Sequence, residues 1–86
     1  MIKKQTIKIV KYVHVITCKR GKLKLKYAVN FYTDDSDSIF NKNSNKVLNK
    51  IRQILSNSKD INSYEERILS PDDYFIFNAL YERGEI

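Results

Sequence analysis

Histidine and cysteine each occur once in this chain of 86 residues, at His14 and Cys18. They are the first places to look for proton transfer or nucleophilic attack. Neither comes with the neighbours such chemistry needs. A reactive thiolate requires a base or a second cysteine beside it, and Cys18 reads instead as a small strand residue near a turn. A lone cysteine cannot form an internal disulfide, which agrees with a reducing compartment. His14 as a general base needs a nucleophile or an orienting acid, and its nearest acid in sequence is Asp34. It reads as a plain surface residue of a strand flanked by lysines.

Other chemistries fail on composition. Zinc takes three or four Cys, His or carboxylate ligands, and one Cys with one His does not supply that set. Asp34-Asp35-Ser36-Asp37-Ser38 opens like a calcium loop but lacks the required glycine and the closing bidentate glutamate. Only Gly21 and Gly84 are present, too few for a phosphate-cradling loop. The acid pairs Glu65-Glu66 and Asp72-Asp73 are accounted for as capping and helix-end residues. The expectation is a protein that is not an enzyme and carries no metal and no cofactor.

What the residues do offer is anion attraction. The net charge is +6, and its distribution is uneven. Lys3, Lys4, Lys8, Lys11, Lys19, Arg20, Lys22, Lys24 and Lys26 precede the first acid, whereas residues 61–86 hold Glu65, Glu66, Asp72, Asp73, Glu82 and Glu85 against only Arg67 and Arg83. A positive amino-terminal half of this kind presents itself to an anionic partner.

Those charges must be positioned by secondary structure. Over Leu23 to Phe31, Leu23, Leu25, Tyr27, Val29 and Phe31 alternate with Lys22, Lys24, Lys26, Ala28 and Asn30, the period of a half-buried strand. The preceding run is apolar on both parities and leaves its inner face undetermined. A three-residue loop Lys19-Arg20-Gly21 with a left-handed Gly21 predicts Val15 opposite Leu25 and Val13 opposite Tyr27. A two-residue Arg-Gly turn is the alternative, and it sends the first strand's side chains to the opposite face. The first register places Lys8, Tyr12 and His14 outward beside Lys24, Lys26, Asn30 and Tyr32.

After the hairpin, Ile39 to Ser58 is predicted as a helix with an apolar stripe of Val47, Leu48, Ile51, Ile54 and Leu55. Its start falls at Asp37 or Ser38, or later at Asn43 or Ser44. Opposite the stripe lie Lys46, Asn49, Lys50, Arg52 and Gln53, read as a solvated face. Ser63-Tyr64-Glu65-Glu66 has the form of a capping box and predicts a short helix through Leu69, with a third strand over Tyr64 to Leu69 as the alternative. Ser70-Pro71-Asp72-Asp73 starts a last helix that runs to about Arg83 and stops at Gly84. Tyr74, Phe75, Ile76, Phe77, Ala79, Leu80 and Tyr81 make it apolar around most of its circumference.

The expected architecture is α+β in the order ββααα: an amino-terminal antiparallel β-hairpin over residues 6–33 packed against two amphipathic helices, with a short helix between them, the helical part covering 38–84. At this length one domain with one small core is expected. No apolar run is long enough to cross a bilayer and no uninterrupted apolar segment of a signal peptide is present, so a cytoplasmic protein with no membrane partner is the default.

Two functions fit. The first is a small nucleic-acid-binding module of low sequence specificity, in which Lys8, Lys19, Arg20, Lys22, Lys24 and Lys26 contact phosphates and Tyr12 and Tyr32 stack on unpaired bases. Lysine outnumbers arginine there, so bidentate reading of guanine is weakly provided for. The second is a protein–protein interaction protein, an adaptor or an inhibitor of a larger enzyme such as one encoded by a phage or another mobile element. It would use Tyr74, Phe75, Phe77 and Tyr81 as a partner or homodimer interface and dock its basic face on an acidic protein surface.

Overall fold

The computed structural model describes residues 9–32 and 38–86. Lys3, Lys4, the 6–8 start of the expected hairpin with Lys8, and the 34–37 part of the calcium-like run lie outside the described residues. The elements run β1 (Tyr12–Arg20), β2 (Leu23–Phe31), α1 (Ile39–Asn57), β3 (Tyr64–Leu69) and α2 (Pro71–Glu82). The three strands form one antiparallel sheet in the order β2-β1-β3.

The class is α+β as expected, but the order is ββαβα and not ββααα. The segment after Ser63 is a strand, because β1 has a second edge to satisfy. Val13 pairs with Leu69, Val15 with Arg67 and Thr17 with Glu65, and a six-residue helix would leave those ladder positions of β1 unmatched. Glu66, the acid that completes the apparent capping box, turns instead to partners on α1 and β1.

The hairpin register is neither of those expected. Gly21-Lys22 is a two-residue loop closed by Arg20 and Leu23. Gly21 has φ +59° and Lys22 does not share its positive φ, as a Gly-first hairpin turn demands. Gly21 thus comes first in the loop, not last. That shift moves Tyr12, His14, Ile16 and Cys18 to the face of Leu25, Tyr27, Val29 and Phe31, and sets Val13, Val15 and Thr17 beside Lys24, Lys26 and Ala28.

The two helices therefore cover opposite faces of the sheet. Leu48 and Leu55 of α1 join Ile16, Cys18, Val29, Phe31 and Ile61 in the core, with Tyr12, Leu25, Tyr27, Ile51 and Tyr64 packed around it. On the other face α2 lies over Lys24, Lys26 and Arg67, above Val13 and Val15, which are almost fully buried. β1 is thus the middle layer, buried from both sides, which is why its sequence shows no clean alternation.

Ser38 caps α1, its Oγ accepting from the Asn41 N–H at 3.1 Å, so the early start is the one adopted. The buried stripe is narrower than predicted: Val47 and Ile54 are 52% and 51% exposed. Their place is taken by two polar residues. Asn41 Oδ1 accepts from the Tyr32 N–H at 3.0 Å and Ser44 Oγ donates to the Asn30 carbonyl at 2.6 Å. Both residues are buried, and both satisfy backbone groups just where β2 lacks a fourth strand. Ser70 caps α2 through the Asp73 N–H at 3.1 Å with Pro71 in the first turn, and Gly84 at φ +77° follows its end, as predicted.

Candidate functional site

The residues expected to gather on one lysine face are separated by the fold. Lys24 and Lys26 lie beneath α2, because residues 74, 77 and 81 recur at the spacing of one helix face. Lys26 Nζ sits 5.4 Å from the Tyr74 ring centroid and 5.2 Å from that of Tyr81, and Lys24 Nζ sits 4.9 Å from Tyr81 while donating to the Ile86 carbonyl at 2.6 Å. On β3, the Arg67 guanidinium stands 5.1 Å from the Phe77 ring and is ion-paired with Glu65 at 3.2 Å. An aromatic helix settles on a cationic sheet face because each ring presents a negative π-face to a charge whose stem supplies apolar contact.

Tyr12 and Tyr32 stand apart from these lysines. Tyr12 is on the α1 side, stacked on Phe31 with ring centroids 4.8 Å apart and planes at 7°. Tyr32 follows β2 and meets Phe40 edge-on at 6.1 Å. Of the expected hairpin cations, Lys19, Arg20 and Lys22 remain exposed at the tip, and among the described residues no carboxylate bridges them.

The acid that His14 lacks in sequence is brought to it by the fold. His14, buried in β1 and not on the surface as expected, donates from Nε2 to Glu66 Oε1 at 2.7 Å. Arg52 of α1 clasps the same carboxylate, from Nη2 at 2.8 Å and from Nε at 3.1 and 3.3 Å. The Arg52 bonds chiefly, and the His14 bond with them, hold the Glu66 carboxyl below the usual carboxylate range against the opposing effect of burial. Arg52 was read as part of a solvated face and Glu66 as a helix cap. The alternation of Tyr64, Glu66 and Ile68 was the available sign that Glu66 shares a face with the core.

This cluster ties α1 to the sheet and offers no nucleophile. Cys18 lies four residues from His14 along the same face, about 13 Å by strand rise, and burial pushes its thiol up, away from the reactive thiolate. Among the described residues no group of three His, Cys, Asp or Glu side chains is placed to hold a metal ion. No helix among them is long and apolar enough to cross a membrane.

A cleft of about 570 Å³ opens between the hairpin tip, the start of β3 and α2, with Lys19, Lys24, Tyr64, Arg67, Phe77 and Tyr81 in its wall. Lys24 and Arg67 there are already engaged. The Tyr81 hydroxyl and Asn78 Oδ1 are buried without a hydrogen-bond partner among the described residues, and burial raises the Tyr81 phenol. The α2 layer is thus the looser of the two, with no residue of α2 fully buried.

The four aromatics expected to form a partner interface divide in two. Tyr74, Phe77 and Tyr81 are half-buried against the sheet, whereas Phe75 is 77% exposed and Ile76 58%. Segment 63–69 is in the sheet and does not cover the outer side of α2. No family model, no curated protein and no solved structure matches this chain.

Proposed function

We propose that this chain is a small non-enzymatic interaction protein whose contact surface is the outer face of α2. The observation that carries the reading is the exposure of Phe75 and Ile76 side by side on a helix whose other aromatic residues are already engaged. Large apolar side chains in that setting, rimmed by Asp72 and Asp73, have the composition of an interface centre with a polar border. Phe75→Ser with Ile76→Ser tests it. The double variant is expected to keep the stability of the wild type within about 0.5 kcal/mol and to lose its partner. Immobilised wild type and variant, each exposed to an extract of the source cells and then to the purified candidate partner, give the comparison. A variant that unfolds means the two side chains are core, and the reading fails.

A nucleic-acid-binding role of low sequence specificity has one specific support, the cluster Lys19, Arg20 and Lys22 projecting at the hairpin tip. With Lys24 and Lys26 under α2, this role rests on the tip. Glutamine at all three positions is expected to weaken binding to single- and double-stranded oligonucleotides by a factor that shrinks as salt rises, with stability unchanged. Lys24→Glu with Lys26→Glu is expected to lower stability by about 1–2 kcal/mol, because carboxylates replace ammonium groups against the Tyr74 and Tyr81 rings. Fluorescence anisotropy at two salt concentrations together with thermal unfolding separates these effects. No binding by the wild type at low salt removes the role.

A further inference from the structure

The outer faces of α1 and α2 are matched to each other in charge and in apolar content, although they belong to opposite sides of the molecule. α1 carries Lys42, Lys46, Lys50 and Arg52 and no acid, and α2 carries Asp72, Asp73 and Glu82 and no base. Arg52 is occupied by Glu66, which leaves the three lysines for the outer side. Arg83, just past α2, is paired with Glu85 at 3.6 Å. Amid the lysines Val47 and Ile54 stand exposed, and beside the acids stand Phe75 and Ile76.

We infer that the partner of the α2 face is the α1 face of a second copy of this chain, in a head-to-tail contact. The inference rests on the reading of α2 as an interaction surface and names its occupant. Charge selects the pairing. Laying α2 on α2 sets Asp72 and Asp73 against the acids of another α2, and laying α1 on α1 sets lysine against lysine. α2 on α1 alone brings opposite charges together around two apolar patches.

The fold then decides what such a contact builds. Because α1 and α2 cover opposite faces of one thin sheet, a copy that docks through its α2 still presents its own α1, and the copy it docks on still presents its α2. A heterologous contact of this geometry propagates and does not close on itself. One short helix on one helix face is at the low end of interface size, so the association is weak and grows with concentration. It weakens as salt is added, since the ion pairs are exposed. A purely apolar contact has the opposite dependence.

Sedimentation of the wild type over a wide concentration range, at low and at high ionic strength, is the first arm. The average mass is expected to climb past that of a dimer without a plateau, and less steeply in high salt. The second arm uses Lys46→Glu with Lys50→Glu, which spoils the α1 surface, and Phe75→Ser with Ile76→Ser, which spoils the α2 surface. Each double variant alone is expected to stay monomeric. An equimolar mixture is expected to form a one-to-one dimer and stop there, because one intact α2 face meets one intact α1 face. A wild type that is monomeric throughout, a plateau at the dimer, association that strengthens with salt, or a mixture that stays monomeric each overturns the inference. The reading of α2 as a surface fails separately: it fails if the Phe75→Ser, Ile76→Ser variant loses its fold, whatever the sedimentation shows.

Discussion

Ile16→Ala is expected to lower the free energy of unfolding by about 2–5 kcal/mol, toward the upper end of that range. Ile16 is fully buried at the centre of the middle strand, opposite Tyr27 on one side and Glu66 on the other, in the core that Leu48 and Leu55 close from α1. The layer between α1 and the sheet is held on both sides of the cavity such a change creates, so collapse into the space is resisted. For a domain with a total stability of about 5–15 kcal/mol the loss is a large fraction. Urea unfolding followed by circular dichroism measures it, with Ile68→Ala as the comparison, since Ile68 lies on the same face of the sheet but is 66% exposed. Similar small effects at both positions would mean that α1 does not close over β1 as described.

Removal of the Glu66 carboxylate has the second large effect, and it carries a pH signature. Glu66→Ala leaves the His14 N–H buried without its acceptor and releases Arg52, a loss of about 1–3 kcal/mol. Glu65→Ala, on the α2 side of the same strand, itself exposed and paired among the described residues with Arg67, is expected to change stability by no more than about 1 kcal/mol. Because the folded state holds the Glu66 carboxyl below its ordinary range, the ionised group stabilises the fold above its unfolded pKa of about 4.3. That contribution is lost as pH falls through the lower folded value, because protonation then removes the acceptor. Thermal midpoints measured from neutral pH down into the carboxylate range are expected to fall for the wild type and to fall less for Glu66→Gln. Parallel declines in the two proteins would show that the His14–Glu66–Arg52 cluster contributes nothing to acid sensitivity.

The same cluster shows what local reading could not reach. Ser63-x-x-Glu66 satisfies the pattern of a helix start, and six residues are too few for periodicity to overrule it. The competing demand came from β1, 52 residues before Glu66, whose second edge needed a partner and whose histidine needed an acceptor. The hairpin failed for a related reason. A strand covered from both sides is apolar on both parities, so Val13, Val15 and Ile16 give no sign of which face meets which helix. The turn alone had to decide, and Gly21 fits both the end of a three-residue loop and the start of a two-residue one.

The chain's own residues determined the two strands of the hairpin, the existence of α1 and where it ends, the extent of α2 with its Ser70 cap, the stop at Gly84 and the α+β class. Each rests on interactions within a turn or two of helix or on alternation along one strand. Tertiary structure decided the hairpin register, the third strand, the opposite placement of the helices, the contact of Lys24 and Lys26 with the aromatic rings of α2 and the exposure of Phe75 and Ile76. The physical reason is that a side chain's face is set by what covers it. For a sheet this thin, that cover comes from helices distant in sequence, whose arrival no local pattern encodes.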